Sequence, residues 1–431
     1  MEVVLFYIYT PLGNTAALAR LKHEFRTFTT EKNMTGRLLL SGEGINGTVA
    51  AYPENMVEFK SFFVGLIPAA ALMPWKLSRS EGAPFIDMKI QICEELVGWG
   101  FGVDMATSDN VSHLDPPQFH EMLTKKRDKD VVIMDMRNYQ ESALGHFKDA
   151  LLPKSKNMPD LGHFLEEQAR NVENKTVLMY CTGGIRCEKA SLYLDRISEG
   201  KAKHIYQLRG GIHEYLEAFG SAEDCQFIGK NFVFDRRGFV GEGVTAVNES
   251  VGKCESCQTA DPVLTGCAVC VVCRFQILLC TPCLEKNGGE HFCFSHKDLS
   301  DCYSMHRIPS FSKAELHVRI AALQEKEKAL LPLGRKGRNR RRTIRLCWKK
   351  MDNAMSRAPE TSQPGVAICR SSGKPLKECP GDCWGFFGRA DGPEADSRGR
   401  RKRKHANVDL SSTSDTEQLA QLEQRRTRAV S

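Results

Sequence analysis

Thr176-Val177-Leu178-Met179-Tyr180-Cys181-Thr182-Gly183-Gly184-Ile185-Arg186-Cys187-Glu188-Lys189-Ala190 decides the fold of this chain. The run Thr176–Tyr180 reads as a strand buried on both faces, as in a parallel sheet. It ends on Cys181, a loop bearing Gly183 and Gly184 follows, and a helix begins. Backbone N–H groups of the loop (Thr182, Gly183, Gly184, Ile185) and the positive end of the helix then surround one sulfur. That field stabilises an anion, so the thiol should ionise below the usual value of about 8.5. A thiolate held there is a nucleophile, and a persulfide gains from the same field. The bland reading is a structural buried cysteine beside a Gly-Gly turn.

Strands and helices alternate on either side. Val131–Met136 reads as a second buried strand, Ile205–Leu208 as a third, and Gly210-Gly211 leads into a helix. Residues 112–220 are therefore an α/β domain with its site at the carboxyl ends of the strands. Upstream, residues 1–98 read as β-α-β-β-α-β, the order of a ferredoxin-like fold. The pieces are Val3–Tyr9, Thr15–Phe28 with Thr15 as N-cap, Arg37–Ser41, Gly47–Ala51, Met56–Leu66 and Phe85–Ile92. The Gly42–Gly47 segment, with Glu43 and Asn46, is a turn whose glycines answer a need for positive φ; a role facing RNA is the alternative.

Totals limit the function classes. A chain of 431 residues with 41% hydrophobic content and no 18-residue apolar run has no expected membrane span. The amino terminus reads as a strand and not as a signal peptide. The 17 cysteines then belong to a reducing compartment, where metal ligands and reactive thiols are the expected uses. The net charge of +7 hides an asymmetry. Residues 331–350 hold nine Lys/Arg and no acid, and 398–404 hold six more, together over twice the surplus. Basic character thus sits near the carboxyl end. Few large apolar residues follow 331, so 331–431 reads as a disordered basic tail. Arg335–Arg345 suits RNA phosphates, and Arg400–Lys404 suits nuclear import in an otherwise cytoplasmic protein.

Residues 221–305 are rich in cysteine and histidine. Cys254-x2-Cys257 precedes Cys267-x2-Cys270-x2-Cys273, then Cys280-x2-Cys283, His291, Cys293 and His296. Paired C-x2-C thiolates match tetrahedral zinc, with ligands for one or two ions. Either Cys267 or Cys270 is the surplus residue. Zinc would organise a segment that lacks its own apolar core. No flavin or nicotinamide motif stands out.

Around Cys181 a family pattern emerges. Asp135-Met136-Arg137-Asn138, Glu141 and Gly145-His146-Phe147 resemble the signature upstream of a rhodanese active site. Cys181–Arg186 resembles its loop, and Leu208-Arg209-Gly210-Gly211-Ile212 its closing strand, turn and helix. Ser41–Thr48 and Gly229–Arg237 resemble motifs of one subfamily, the rhodanese-domain tRNA uridine hydroxylases with their eukaryotic thiosulfate sulfurtransferase/rhodanese-like relatives. The resemblance spans about residues 1–300. It implies an acylphosphatase-like (ferredoxin-like) amino-terminal domain, a rhodanese domain over 112–220, and Cys181 as catalytic residue. The implied reaction is oxygen-dependent hydroxylation of the tRNA wobble uridine at C5.

Roles for the other residues follow from their chemistry. Arg186 either places a cation near the thiolate or fixes the loop through a salt bridge. Asp135, Arg137 and Glu141 read as a charged network behind the loop. His146 is an acid–base candidate or a structural hydrogen bonder. Cys187 reads as a packed thiol on the first helical turn, or as a resolving thiol. Four residues separate Cys181 from Arg186. That loop is tight for a phosphoryl group and suits a sulfur atom, so a sulfurtransferase using a small sulfur donor is the second reading. A zinc-dependent scaffold without catalysis is the third.

Overall fold

The computed structural model describes residues 1–103, 105, 108–124, 130–156, 158–235, 237–242, 253–259, 270–273, 277–285, 291–300, 302–305, 307–334 and 337–358. Cys267, Arg335 and Arg400–Lys404 lie outside them. Residues 1–249 and 250–388 fall into separate units.

The first unit opens with β1 (Glu2–Tyr9), α1 (Thr15–Glu31), β2 (Thr35–Ser41), β3 (Gly44–Ala51), α2 (Pro53–Leu66), β4 (Lys76–Arg79) and β5 (Met88–Ile92). The sheet order is β4-β1-β3-β2-β5. Alternation along β1 sends Val4 and Phe6 into a core with Phe25 of α1 and Phe59 and Phe63 of α2. Phe6 meets Phe63 edge-on at 5.1 Å. Two expectations change here. Asn14, not Thr15, caps α1, accepting from the Ala17 amide. The strand that completes the ferredoxin-like order is β4, antiparallel to β1, while β5 is an added edge parallel to β2. Lys-Leu-Ser-Arg carries no apolar alternation, which hides β4 in the sequence.

Directly opposite residues of an antiparallel pair share a face. Lys76 lies opposite Leu5, and Asn46 opposite Tyr7. Leu5, Tyr7, Tyr9, Asn46 and Lys76 therefore form the face of this sheet turned away from α1 and α2.

The α/β domain contains β6 (Val111–Leu114), α3 (Pro116–Thr124), β7 (Val131–Asp135), α4 (Tyr139–Leu144), β8 (Gly145–Phe147), α5 (Met158–Gln168), β9 (Thr176–Tyr180), α6 (Ile185–Ile197), β10 (His204–Leu208) and α7 (Gly211–Phe219). Strands β6-β10-β9-β7 are parallel. Every residue of β9 is buried. Val177 and Met179 pack with Leu161 and Leu165 of α5 and Ala190 and Leu194 of α6. Leu178 and Tyr180 pack with Phe119 of α3 and Ile212 and Tyr215 of α7. Helices on both faces explain why β9 is apolar throughout. Strands β11 (Phe227–Phe232) and β12 (Phe239–Glu242) join β8 in a small antiparallel sheet.

The second unit carries the Cys/His-rich segments, a short helix α8 (Thr281–Glu285), α9 (Lys313–Ala329) and α10 (Arg338–Ala354). Disorder from 331 does not hold at its start. Ile344, Cys347 and Met351, at helical spacing, bury one face of α10 against Leu316, Ile320 and Leu323 of α9. The many Arg and Lys between them dilute that stripe in composition. Ser312 and Glu315 form a capping box at the head of α9. Among the described residues no helix is long and apolar enough to cross a membrane.

Candidate active site

Cys181 follows β9 directly and is fully buried. Gly184, with φ of 104°, is the N-cap of α6, and its N–H donates to Cys181 Sγ at 3.1 Å. Burial alone would raise the thiol pKa. The Cys187 side chain, the Arg186 charge and the amides of Arg186 and Gly184 outweigh it and bring Cys181 to about 5. Cys187, buried on the first turn of α6, is pushed well above its ordinary value by burial and by Cys181. One sulfur is thus an anion near neutral pH and its neighbour is a neutral donor.

Arg186 faces Glu141 with both arms of its guanidinium, at 2.8 and 2.7 Å, and also donates to Thr182 Oγ1 at 3.0 Å. Thr182 Oγ1 in turn donates to Glu141 at 3.1 Å. Glu141 also closes the capping box of α4, accepting the Asn138 amide at 3.0 Å. Burial pushes its carboxyl up, but Arg186 first and Arg137 next hold it below the ordinary value. Arg186 therefore fixes the loop through a salt bridge and still leaves its charge beside Cys181.

Behind this pair, buried Arg137 binds Asp135 with Nη2–Oδ2 at 2.6 Å, and Ser142 Oγ donates to Asp135 at 3.0 Å. His146 points elsewhere: its Nδ1 lies 2.8 Å from the Ser142 carbonyl, and burial lowers its pKa.

Two further elements close over Cys181. The Ile212 and His213 amides at the start of α7 donate to the Cys181 and Thr182 carbonyls at 3.0 and 3.1 Å. Gly211, at φ of 66°, permits this approach, because a Cβ there would stand 2.5 Å from the Cys181 carbonyl oxygen. The amino-terminal sheet covers the other side. A Cβ on Gly183 would meet Leu5 Cδ2 at 2.7 Å, and one on Gly184 would meet the Tyr7 hydroxyl at 2.7 Å. Tyr7 donates to Glu188 of α6 at 2.8 Å, and His113 Nε2 lies 3.1 Å from the same oxygen. Glu43, in the turn between β2 and β3, pairs with buried Lys189 at 2.9 Å, and Glu95 pairs with it at 3.1 Å. The Gly42–Gly47 segment thus locks the sheet to α6.

Sequence reasoning missed Tyr7, Lys76, Lys189 and His213 as neighbours of the loop. Glu43 was the one signal available, a carboxylate placed in a glycine turn.

In the second unit the described cysteines and histidines gather into two quartets. Cys254, Cys257, Cys280 and Cys283 form one, and Cys270, Cys273, Cys293 and His296 the other, with ligand atoms within 4.8 Å of one another. Sulfurs of Cys257 and Cys280 lie 3.6 Å apart, and those of Cys273 and Cys293 lie 3.8 Å apart. A tetrahedral ion with metal–sulfur bonds of about 2.3 Å sets its sulfurs about 3.8 Å apart. The donor sets and spacings fit a metal ion in each quartet. His291 belongs to neither; its backbone pairs with Cys270 and its Nε2 is buried without a partner. Cys270 is a quartet member.

Comparison with known proteins follows the same division. Residues 1–96 match the UPF0176 acylphosphatase-like domain, 115–218 the rhodanese-like domain, and 228–297 the rhodanese carboxyl-terminal family. A tRNA uridine(34) hydroxylase of Acaryochloris marina is 35% identical over 59% of this chain and 78% of its own length. One of Synechocystis is 34% identical over 59% of this chain and 87% of its own. Rhodanese-like domain-containing protein 6 of Arabidopsis thaliana is 33% identical over 68% of this chain and 52% of its own length.

Proposed function

Because this chain belongs to the tRNA uridine(34) hydroxylase family, we propose that it hydroxylates the wobble uridine of tRNA and that Cys181 is the residue on which the reaction turns. The observation that carries this is the pairing of family membership with one enclosed thiol drawn down to about 5. At neutral pH that sulfur is a thiolate, screened from water and poised as a nucleophile. Gly184 and Arg186 hold the anion. Glu141 and Thr182 hold Arg186, and Asp135 and Arg137 brace the end of β7 behind them. His146 takes a structural part.

Zinc is the metal we infer for the quartets, since four-thiolate and three-thiolate–imidazole sets are its usual structural ligands. Its task there is to hold short segments together. RNA contact is supported by α10, where Arg338, Arg342, Lys349 and Lys350 are exposed. The cytoplasm is the compartment that suits reduced thiols and a tRNA substrate.

Nucleoside mass spectrometry of tRNA from cells lacking this protein tests the reading, beside purified protein assayed on that tRNA. Loss of 5-hydroxyuridine, restored by the wild type and not by Cys181→Ser, is the expected result. Unchanged wobble uridine together with brisk thiosulfate-to-cyanide transfer would overturn it in favour of sulfur transfer.

A further inference from the structure

Among the described residues, two polar groups beside the Cys181 loop make no side-chain hydrogen bond or ion pair. Lys76, the first residue of β4, is 3% exposed. Among the described residues no carboxylate lies within ion-pair distance of it. Its Nζ sits 4.9 Å from the centre of the Tyr7 ring, and its Cδ is 3.8 Å from where a Gly183 Cβ would be. The second group is His213, whose Nδ1 is buried and accepts or donates no hydrogen bond. Its backbone N–H is bonded to Thr182, so the ring is carried by the residue that clamps the loop. Burial, then the charges of Lys76 and Arg237, keep its imidazole neutral down to about pH 4.

An ammonium whose nearby negative charges, Glu214, Cys181 and Glu188, close no ion pair with it, and an imidazole nitrogen without a hydrogen-bond partner, call for an explanation. Packing does not supply one, because a methionine fills the volume of Lys76 without the charge. The two groups come from opposite sides of the loop, the amino-terminal sheet and α7.

We infer that Lys76 and His213 form a subsite for a backbone phosphate of the RNA substrate, next to the nucleoside held at Cys181. The inference rests on the tRNA reading above. Phosphates are the anions that RNA brings with every nucleoside. A cation beside a neutral imidazole donor satisfies one without adding mutual repulsion. Tyr7 holds the ammonium from below through its ring face and stays anchored to Glu188. The amino-terminal domain thereby contributes directly to the active site.

The experiment measures binding of the full-length protein to an anticodon stem-loop carrying the wobble uridine, across a potassium chloride series. Each phosphate contact on a single strand contributes about 0.7 to the slope of log K against log salt. Lys76→Met should lower the slope by about that amount and weaken binding about tenfold at low salt. Lys76→Arg should keep the slope. Lys201→Met, at an exposed site paired with Glu199, should match the wild type. His213→Ala should weaken binding several-fold with the slope unchanged, because the ring is neutral. Should Lys76→Met fail to fold, Lys76→Gln takes its place. A wild-type slope in the Lys76 variant overturns the subsite, even if its Cys181 alkylation profile moves, since the cation then serves only the sulfur. An unaltered Kd for His213→Ala removes that residue from it. A wild-type protein that shows no salt-dependent binding to the stem-loop sinks the RNA reading itself, a separate failure.

Discussion

The chain holds thiolates in two places and by opposite means. At Cys181 the protein supplies everything: an aimed amide, a helix start, a fixed guanidinium and a closed apolar shell. In 253–300 the cysteines sit on short segments around a small cluster made largely of their own sulfurs with Ile277 and Leu279. The first sulfur depends on a fold that exists without it. With a metal ion in each quartet, the second set would be what its fold depends on. A preorganised anion site should therefore fail in its chemistry first, and a metal-held segment in its structure first.

The largest expected effect is on the metal side. Structural zinc contributes an apparent ~10–16 kcal/mol to such modules at neutral pH. Chelation, or Cys280→Ser, should expose 253–300 to protease while 1–242 remains resistant. Elemental analysis should give an ion for each quartet. A segment that stays resistant with no bound metal would erase the contrast.

Cys181→Ser comes next and tests the other half. The hydroxyl is smaller and stays neutral, so wobble-uridine hydroxylation should drop to background. Below pH 5, where the sulfur is protonated in both states, the melting temperature should barely move, because β9 and α6 keep their packing. A large loss of stability at that low pH would make Cys181 a structural residue after all.

Arg186→Met should lie between these extremes. It leaves the buried Glu141 carboxylate without its ion-pair partner, with only the Arg137 charge and the Asn138 and Thr182 donors remaining, which costs up to about 3–5 kcal/mol. It also removes a charge that holds Cys181 down, so the pH of half-alkylation should rise. Read by thermal melting and by mass spectrometry of the Cys181 peptide, both changes are required. A stability loss alone would confine Arg186 to bracing the loop.

The sign of the pH dependence separates the two sulfur sites further. The folded pKa of Cys181, about 5, lies below that of a free thiol at about 8.5. Its contribution to stability is therefore complete above about 8.5 and fades as pH falls toward 5. Below 5 the sulfur is protonated in both states and contributes nothing. Alkylation of Cys181 should inflect near 5 in the wild type.

How much of this was legible depended on distance along the chain. The Cys181 loop is local: strand, glycines and helix are consecutive residues, so chemistry and geometry read together. The C-x2-C pairs are local as well, yet their sorting into quartets is not, and His291 fell outside both. Lys76 was invisible because β4 is four residues without alternation, and its neighbours at the loop lie a hundred residues downstream. Helix α10 was masked by its own charge. In each case the missing information was tertiary, a packing partner that no local pattern encodes.

The smallest effect should come from Cys187. It donates to Cys181, and burial keeps it protonated, so it helps hold the anion without supplying charge. Cys187→Ser retains an O–H donor and should leave alkylation and hydroxylation close to wild type. Cys187→Ala removes the donor and should raise the pH of half-alkylation by less than Arg186→Met does, since a neutral donor is weaker than a charge. A resolving thiol would behave differently. In that case Ser and Ala would be equally damaging, and the wild type would form a Cys181–Cys187 disulfide under peroxide. Equal losses in the two variants would place Cys187 in the chemistry, whereas a graded series keeps it among the groups that hold the sulfur.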